Sequence, residues 1–210
     1  FLKVVTVQSS HIRLWAAHGC FNLIKLSLSR INNYSRLDDL VNSRPKTAPG
    51  TALMIASSLG HVNIVKYLLS KNAKHDLCSV KGENAAMRAA DQGHIKVLDV
   101  FKSFLSEKDF IEFINGGKDN KLNALAYATI RRQYSTITYL LKNNSSYNVT
   151  FKNGDILPLY IARKNDTQAL SAFKAGMSKE NFANFINSTD DTGIPPIICA
   201  VLNNSMLMCQ

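Results

Sequence analysis

No stretch of the chain approaches the roughly 18 consecutive apolar residues that a membrane-spanning helix needs, so no span is expected. Nor does the start at Phe1 place a charged segment ahead of an apolar core, as a secretory leader would. The four cysteines, Cys20, Cys78, Cys199 and Cys209, form no paired framework and fit thiols in a reducing, cytoplasmic setting. Metal-ligand spacing is missing too. There is no Cys-x-x-Cys or His-x-x-x-His, and His11, His18 and His75 have no ligand partners at the required distance in sequence. Gly116-Gly117 and Gly154 precede no Lys-Ser/Thr pair, which argues against a phosphate-binding loop, and a nucleophilic Cys20 or Cys78 would need a base brought to it by the fold. No catalytic residue, metal or cofactor is therefore expected. Acidic residues are also scarce, 15 against 25 Lys and Arg, and the resulting charge of +10 favours an acidic partner. The basic residues are spread along the chain, Lys25, Lys66, Lys96, Lys142 and Lys174 among them, as on a solvated outer face. No basic groove is specified for nucleic acid. Several Asn-x-Ser/Thr matches, at Asn33, Asn144, Asn148 and Asn187, are what an Asn-rich chain produces by chance.

What the chain does have is a recurring helix pair, clearest in TALMIASSLGHVNIVKYLL from Thr51 to Leu69. Leu53, Ile55, Ala56 and Leu59 follow a three-to-four-residue spacing, Gly60 breaks it, and Ile64, Val65, Leu68 and Leu69 resume it. Gly60 can take positive φ at a tight reversal, and small Ala56 permits close approach. Helices this short are marginal alone and must bury their apolar faces against similar units. Such units occur at Ile12–Leu28 with Gly19 at the turn, at Asn84–Lys102 with Gly93-His94, and at Asn123–Leu141 with Arg132 where Gly would stand. Two more are predicted, at Leu157–Phe173 with Asp166 at the turn and at Pro195–Gln210 with Asn204 at the turn. Tyr127, Tyr134, Tyr139 and Tyr160 follow the repeat and read as core or inner-face residues.

These residues resemble the ankyrin repeat family, whose unit reads roughly D-x-x-G-x-T-P-L-H-x-A-A-x-x-G-H-x-x-I-V-x-L-L-L. The likeness is close at Thr51–Leu69, good at SVKGENAAMRAADQGH from Ser79, and fair at DDTGIPPIICA from Asp190. It departs at the His of T-P-L-H, where Met54, Met87, Ala126, Tyr160 and Ile198 stand, so a hydrogen bond usual in that family is absent. His61 and His94, at the G-H position, are expected to support the turn. The resemblance implies an all-α solenoid of about six helix-turn-helix units filling residues 10–210, the last one truncated. Residues 1–9 read as the end of a preceding repeat or domain, and the segment as a piece of a larger protein.

The turn positions 19, 60, 93, 132, 166 and 204 are separated by 41, 33, 39, 34 and 38 residues, so long and short repeats alternate. The extra residues are alike: SRLDDLVN from Ser35, SEKDFIEFIN from Ser106 and SKENFANFIN from Ser178. A serine placed to cap a helix and apolar pairs such as Phe110/Phe113 and Phe182/Phe185 predict a short additional helix in alternate repeats, packed on the stack. An exposed aromatic anchor is the other reading of those pairs.

In ankyrin stacks the hairpin tips and the residues just before the turn line a concave face that recognises partners. The resemblance carries that role to Thr47 and Ala48, to Val80, Lys81 and Glu83, to Asp119, Asn120 and Leu122, and to Asn153. On the first helices it falls to Ser58, Leu59, Asp91, Gln92, Ile130, Arg131, Lys164 and Asn165. Leu59, Leu122 and Ile130 are the expected apolar anchors, with Lys81, Arg131 and Lys164 steering an acidic partner. The function implied is that of a monomeric, non-catalytic protein-binding module. The style of the repeats resembles ankyrin effectors that intracellular bacteria deliver into the host cytosol, and a eukaryotic scaffold fits as well. The alternative is a substrate-recruiting or regulatory arm of an enzyme whose catalytic domain lies outside these residues.

Overall fold

Helices of seven to ten residues persist only if their ends are capped and their faces covered, and this chain does both by repetition. The computed structural model describes residues 7–44, 50–116, 122–190, 193 and 195–202. Helices α1 (Ser9–Ala17), α2 (Phe21–Ser29) and α3 (Tyr34–Asn42) form the first unit, and α4 (Ala52–Ser58) and α5 (Val62–Ser70) the second. The third comprises α6 (Ala85–Asp91), α7 (Ile95–Phe104) and α8 (Glu107–Asn115), the fourth α9 (Ala124–Ile130) and α10 (Tyr134–Lys142). Helices α11 (Leu157–Arg163), α12 (Thr167–Gly176) and α13 (Lys179–Asn187) make the fifth, and α14 (Pro196–Leu202) opens a sixth. Among the described residues the regular elements are all helices, with one isolated antiparallel bridge between Thr150 and Ile156. First helices pack on first helices, α1 on α4, α4 on α6 and α6 on α9; second helices do likewise, α2 on α5, α5 on α7 and α10 on α12. The fold is an all-α solenoid.

The first helices of the second, third and fourth units are capped alike. Thr51, Asn84 and Asn123 accept hydrogen bonds from the backbone N–H groups of Met54, Met87 and Ala126 at 3.3, 2.9 and 3.0 Å. The two asparagines also donate. Asn84 Nδ2 reaches the carbonyls of Phe113 (2.8 Å) and Gly116 (2.7 Å), and Asn123 Nδ2 that of Ser146 (2.6 Å). In this chain the amides at these caps therefore tie each first helix to the segment that follows its partner helix. Asn123→Ala is expected to cost about 2 kcal/mol, a cap plus a buried carbonyl left without its donor. Urea denaturation checks this, and Asn123→Asp, which keeps the acceptor and loses the donor, should fall between the two.

The glycine turns work between units rather than within them. Gly19, Gly60 and Gly93 have φ of 69°, 72° and 78°, and a Cβ on Gly60 would come within 2.8 Å of the His94 ring. His94 Nε2 donates to Ser58 O at 3.1 Å and His61 Nε2 to Ala17 O at 3.4 Å, so each histidine covers the glycine and binds the helix end of the unit before it. Gln133 takes the same place, its Nε2 donating to Asp91 O at 3.4 Å. At the fourth turn the pair is exchanged. Arg132 (φ 58°) holds the glycine position and its Nε lies 3.3 Å from Asp166 Oδ2 of the next unit. Asp166 also accepts from Ala169 N (3.0 Å) and from the Tyr134 hydroxyl (3.1 Å).

That exchange corrects the fifth turn. The residue with positive φ is Asn165 (50°), so the turn lies one position earlier than the sequence reading has it, and Asp166 is the cap of α12. Turns 60 and 132, and 93 and 165, are then both 72 residues apart. The extra helices α3, α8 and α13 are present, each touching the first helix of the following unit, α4, α9 or α14. Ser106 and Ser178 cap α8 and α13 by accepting from Asp109 N (3.1 Å) and Asn181 N (3.2 Å). Ser35 does not cap α3. Asn33, in extended conformation, accepts from Arg36 N at 3.1 Å, so the helix starts a residue before Ser35. Phe110, Phe113 and Phe185 are buried and Phe182 half-buried against the core, which assigns the aromatic pairs to packing. Asn204 and the predicted helix after it lie outside the described residues.

Candidate functional site

The row of first helices presents the face on which the sequence places partner contacts. Between α4, α6 and α9 it holds a cleft of about 160 Å³ lined by Ser58, Glu83, Met87, Arg88, Asp91, Tyr127 and Arg131. Local geometry positions each group. A turn closed by Ser79 N donating to Glu83 O (2.7 Å) sets Glu83 just before the Asn84 cap. Its carboxylate accepts from Arg88 Nη2 (3.1 Å) and the Tyr127 hydroxyl (3.4 Å). Asp91, at the end of α6, accepts from Arg131 Nε at 2.8 Å and from Gln92 Nε2 at 2.6 Å. The hydrogen bond to Asp91, and the charge of that carboxylate, push the Arg131 pKa further up, so the guanidinium stays charged. Arg88 Nε is buried with no acceptor. Two carboxylates thus face two guanidiniums, and the cleft is polar but balanced.

The fold brings Ser58, Glu83, Asp91 and Arg131 together, with Gln92 at the edge through its bond to Asp91. Leu59 (48% exposed) and Ile130 (36%) stand in solvent at the ends of α4 and α9. Lys81 and Val80 are exposed in the turn before Glu83, and Asn153 is exposed ahead of α11. Lys164 is exposed and its ammonium sits 5.9 Å from the Tyr160 ring centre. Three expectations change. Leu122, next to the buried Asn123 cap of α9, is half-buried and packs against the core. Arg131 does not present a separate positive charge, since Asp91 holds it. Asn165 is the left-handed turn residue itself, so the positions matching Ser58 and Leu59 in the fifth unit are Arg163 and Lys164. Thr47, Ala48, Asp119 and Asn120 lie outside the described residues. Met87, Arg88 and Tyr127 went unassigned as cleft residues, because their spacing matches buried helix positions. The five-residue step from Glu83 to Arg88, repeated as an acid-base pair across units by Asp91 and Arg131, is the signal that could have found them.

Among the described residues no three His, Cys, Asp or Glu side chains cluster as a metal site, and no helix is long and apolar enough to cross a membrane. A sequence model of ankyrin repeats, in three copies, matches residues 13–109 and 53–151.

The chain belongs to the ankyrin repeat family.

An ankyrin repeat domain from Acinetobacter baumannii AYE, solved by crystallography, superposes with a TM-score of 0.72 at 20% identity, covering 95% of this chain and 94% of that one. A probable E3 ubiquitin-protein ligase of Oryza sativa subsp. japonica is 23% identical over 158 residues, or 75% of this chain. The chain spans 29% of that protein's length. Ankyrin repeats are non-catalytic modules that bind other proteins by stacking units into an extended surface.

Proposed function

We propose that this ankyrin segment binds a partner protein across its first-helix face, with Leu59 and Ile130 as apolar anchors on either side of the polar cleft. The observation that carries the reading is their exposure at positions where the neighbouring units place Gln92, Arg131, Lys164, Asp91 and Arg163. No core contact accounts for an apolar residue there. Ser58, Glu83, Asp91, Gln92 and Arg131 supply the surrounding hydrogen bonds, and Lys81 and Lys164, with the overall charge of +10, favour an acidic partner surface. The segment acts as a monomer within a larger cytoplasmic scaffold or bacterial effector; the thiols of Cys20 and Cys78 support a reducing compartment.

Replacing Leu59, Ile130 and Arg131 together by serine should weaken capture of the partner at least tenfold, the effect of losing about 1.4 kcal/mol at a central contact. Quantitative mass spectrometry of affinity-captured proteins reads this, with circular dichroism confirming retained helicity. An unchanged set of captured proteins places the interface on another face.

A second reading is favoured by the rice relative: the segment is the substrate-recruiting arm of a longer enzyme. The probable ligase carries its match over a minor part of its own length. A catalytic domain elsewhere in the full-length protein supports this reading, and an array of repeats alone opposes it.

A further inference from the structure

The first helix pair exposes leucines at positions that are covered in every later unit. Four residues after the left-handed turn residue stand Leu23 in α2, then Ile64, Val97, Thr136 and Ala169. The last four are buried, whereas Leu23 is 45% exposed. Seven residues after the turn stand Leu26, then Tyr67, Val100, Tyr139 and Ala172; Leu26 is 50% exposed and the rest are buried or half-buried. Five residues before the turn stand Leu14, 53% exposed, and the half-buried Ile55, Arg88, Tyr127 and Tyr160.

The hydrogen bonds show which neighbour does the covering. Tyr67 donates its hydroxyl to Lys25 O of the preceding unit at 3.2 Å and meets the Phe21 ring edge-on at 5.8 Å. Tyr139 donates back to Asp99 at 2.7 Å, and Tyr127 back to Glu83 at 3.4 Å. Tyr67 and Tyr139 occupy the place of Leu26, and Tyr127 that of Leu14. The tyrosines at the Leu26 position, and Tyr127 at that of Leu14, therefore reach toward the unit before, and the leucines of the first unit occupy the same places. An end unit that meets water needs a polar outer face, and three leucines on adjoining helices are the opposite.

We propose that this end of the stack is a docking surface for one further ankyrin-type helix pair lying ahead of residue 7. The rhythm of the array specifies its kind. A unit with an extra helix follows a short unit in both internal cases, α4–α5 before α6–α8 and α9–α10 before α11–α13, so a short unit precedes α1–α3. The surface lies at the end of the stack rather than in the cleft between α4, α6 and α9, and does not depend on partner binding there.

Hydrogen exchange of the full chain, compared with a version carrying its own short unit (residues 50–83) joined ahead of Gln8, tests the assignment. Amides of α1 and α2 should exchange at least about tenfold more slowly in the extended chain, a factor that covering one leucine suffices to give. Leu23→Lys should abolish the slowing while leaving α4 and α5 unchanged. A second graft, residues 122–155 from the other short unit, guards against failure of one junction. The proposal is overturned if neither graft slows exchange. It is equally overturned if α1 and α2 of the unextended chain already exchange as slowly as α4 and α5; sedimentation then tells a second copy from residues 1–6 as the occupant.

Discussion

Replacing Phe101 by alanine is expected to remove about 3–5 kcal/mol of stability, the cost of emptying a fully buried aromatic site. Its ring is inaccessible to solvent and lies 4.8 Å, centre to centre, from Phe113 of α8. Phe113 in turn meets the His75 ring edge-on at 5.1 Å. One side chain therefore joins the second helix of the third unit both to its own core and to the extra helix. Phe173 and Phe185 repeat the arrangement 72 residues on, stacked at 4.6 Å. In the short units, which have no extra helix, the same position holds buried Leu68 and Leu140. Phe101→Leu should therefore be tolerated by α7 at a cost of about 1 kcal/mol, with faster hydrogen exchange concentrated in α8. Urea denaturation followed by circular dichroism reads the alanine variant. A loss below about 1 kcal/mol, or undisturbed exchange in α8, would show that the ring does not couple the two helices. Because stacked units contribute through their own stability and their neighbour contacts, the damage should spread to α9, which α8 touches.

The parts of this architecture written in apolar spacing were legible in the sequence. Gly60 and Gly93 mark reversals because only a residue without Cβ fits both a left-handed φ and the side chain laid across it, His94 over Gly60 and Gln133 over Gly93. The three extra helices were equally plain in their apolar residues, although Ser106 and Ser178 mark the caps of only two and Asn33, not Ser35, caps the third. Where a local sign was replaced by a contact between units, the sequence misled. Asp166 looks like a turn residue, yet it caps α12 and binds Arg132 of the unit before, a relation between residues 34 apart that no local pattern carries. The candidate face divides in the same way. Exposure of Leu59 and Ile130 follows from helix register, but the pairing of Arg131 with Asp91 across 40 residues depends on how two units stack. Leu122, directly before the Asn123 cap of α9, settles on the core, a burial that spacing alone does not fix.

The exchange at the fourth turn gives the sharpest test of how the units are joined. Gly93 has φ 78°, and a side chain there would overlap Gln133, whose amide donates to Asp91 O at 3.4 Å. Gly93→Val is expected to cost about 2–3 kcal/mol. Left-handed backbone in a residue with Cβ accounts for about 1–2 kcal/mol of it, and the displaced Gln133 hydrogen bond for about 1. Gly93→Arg carries the same backbone strain, but here the chain itself supplies a remedy. Arg132 occupies the corresponding position at φ 58° and reaches Asp166, the residue matching Gln133, at 3.3 Å. Combining Gly93→Arg with Gln133→Asp should therefore recover about 1 kcal/mol relative to the sum of the single changes, as a double-mutant cycle in urea would measure. Aspartate at 133 gains besides the cap that Asp166 gives α12, accepting from the N–H three residues on; Gln133→Asp alone reads that gain net of the lost hydrogen bond to Asp91 O. A coupling indistinguishable from zero would mean that Arg132 is merely tolerated, with Asp166 serving α12 alone. A favourable coupling would make glycine–glutamine and arginine–aspartate two interchangeable ways of locking one ankyrin unit onto the next.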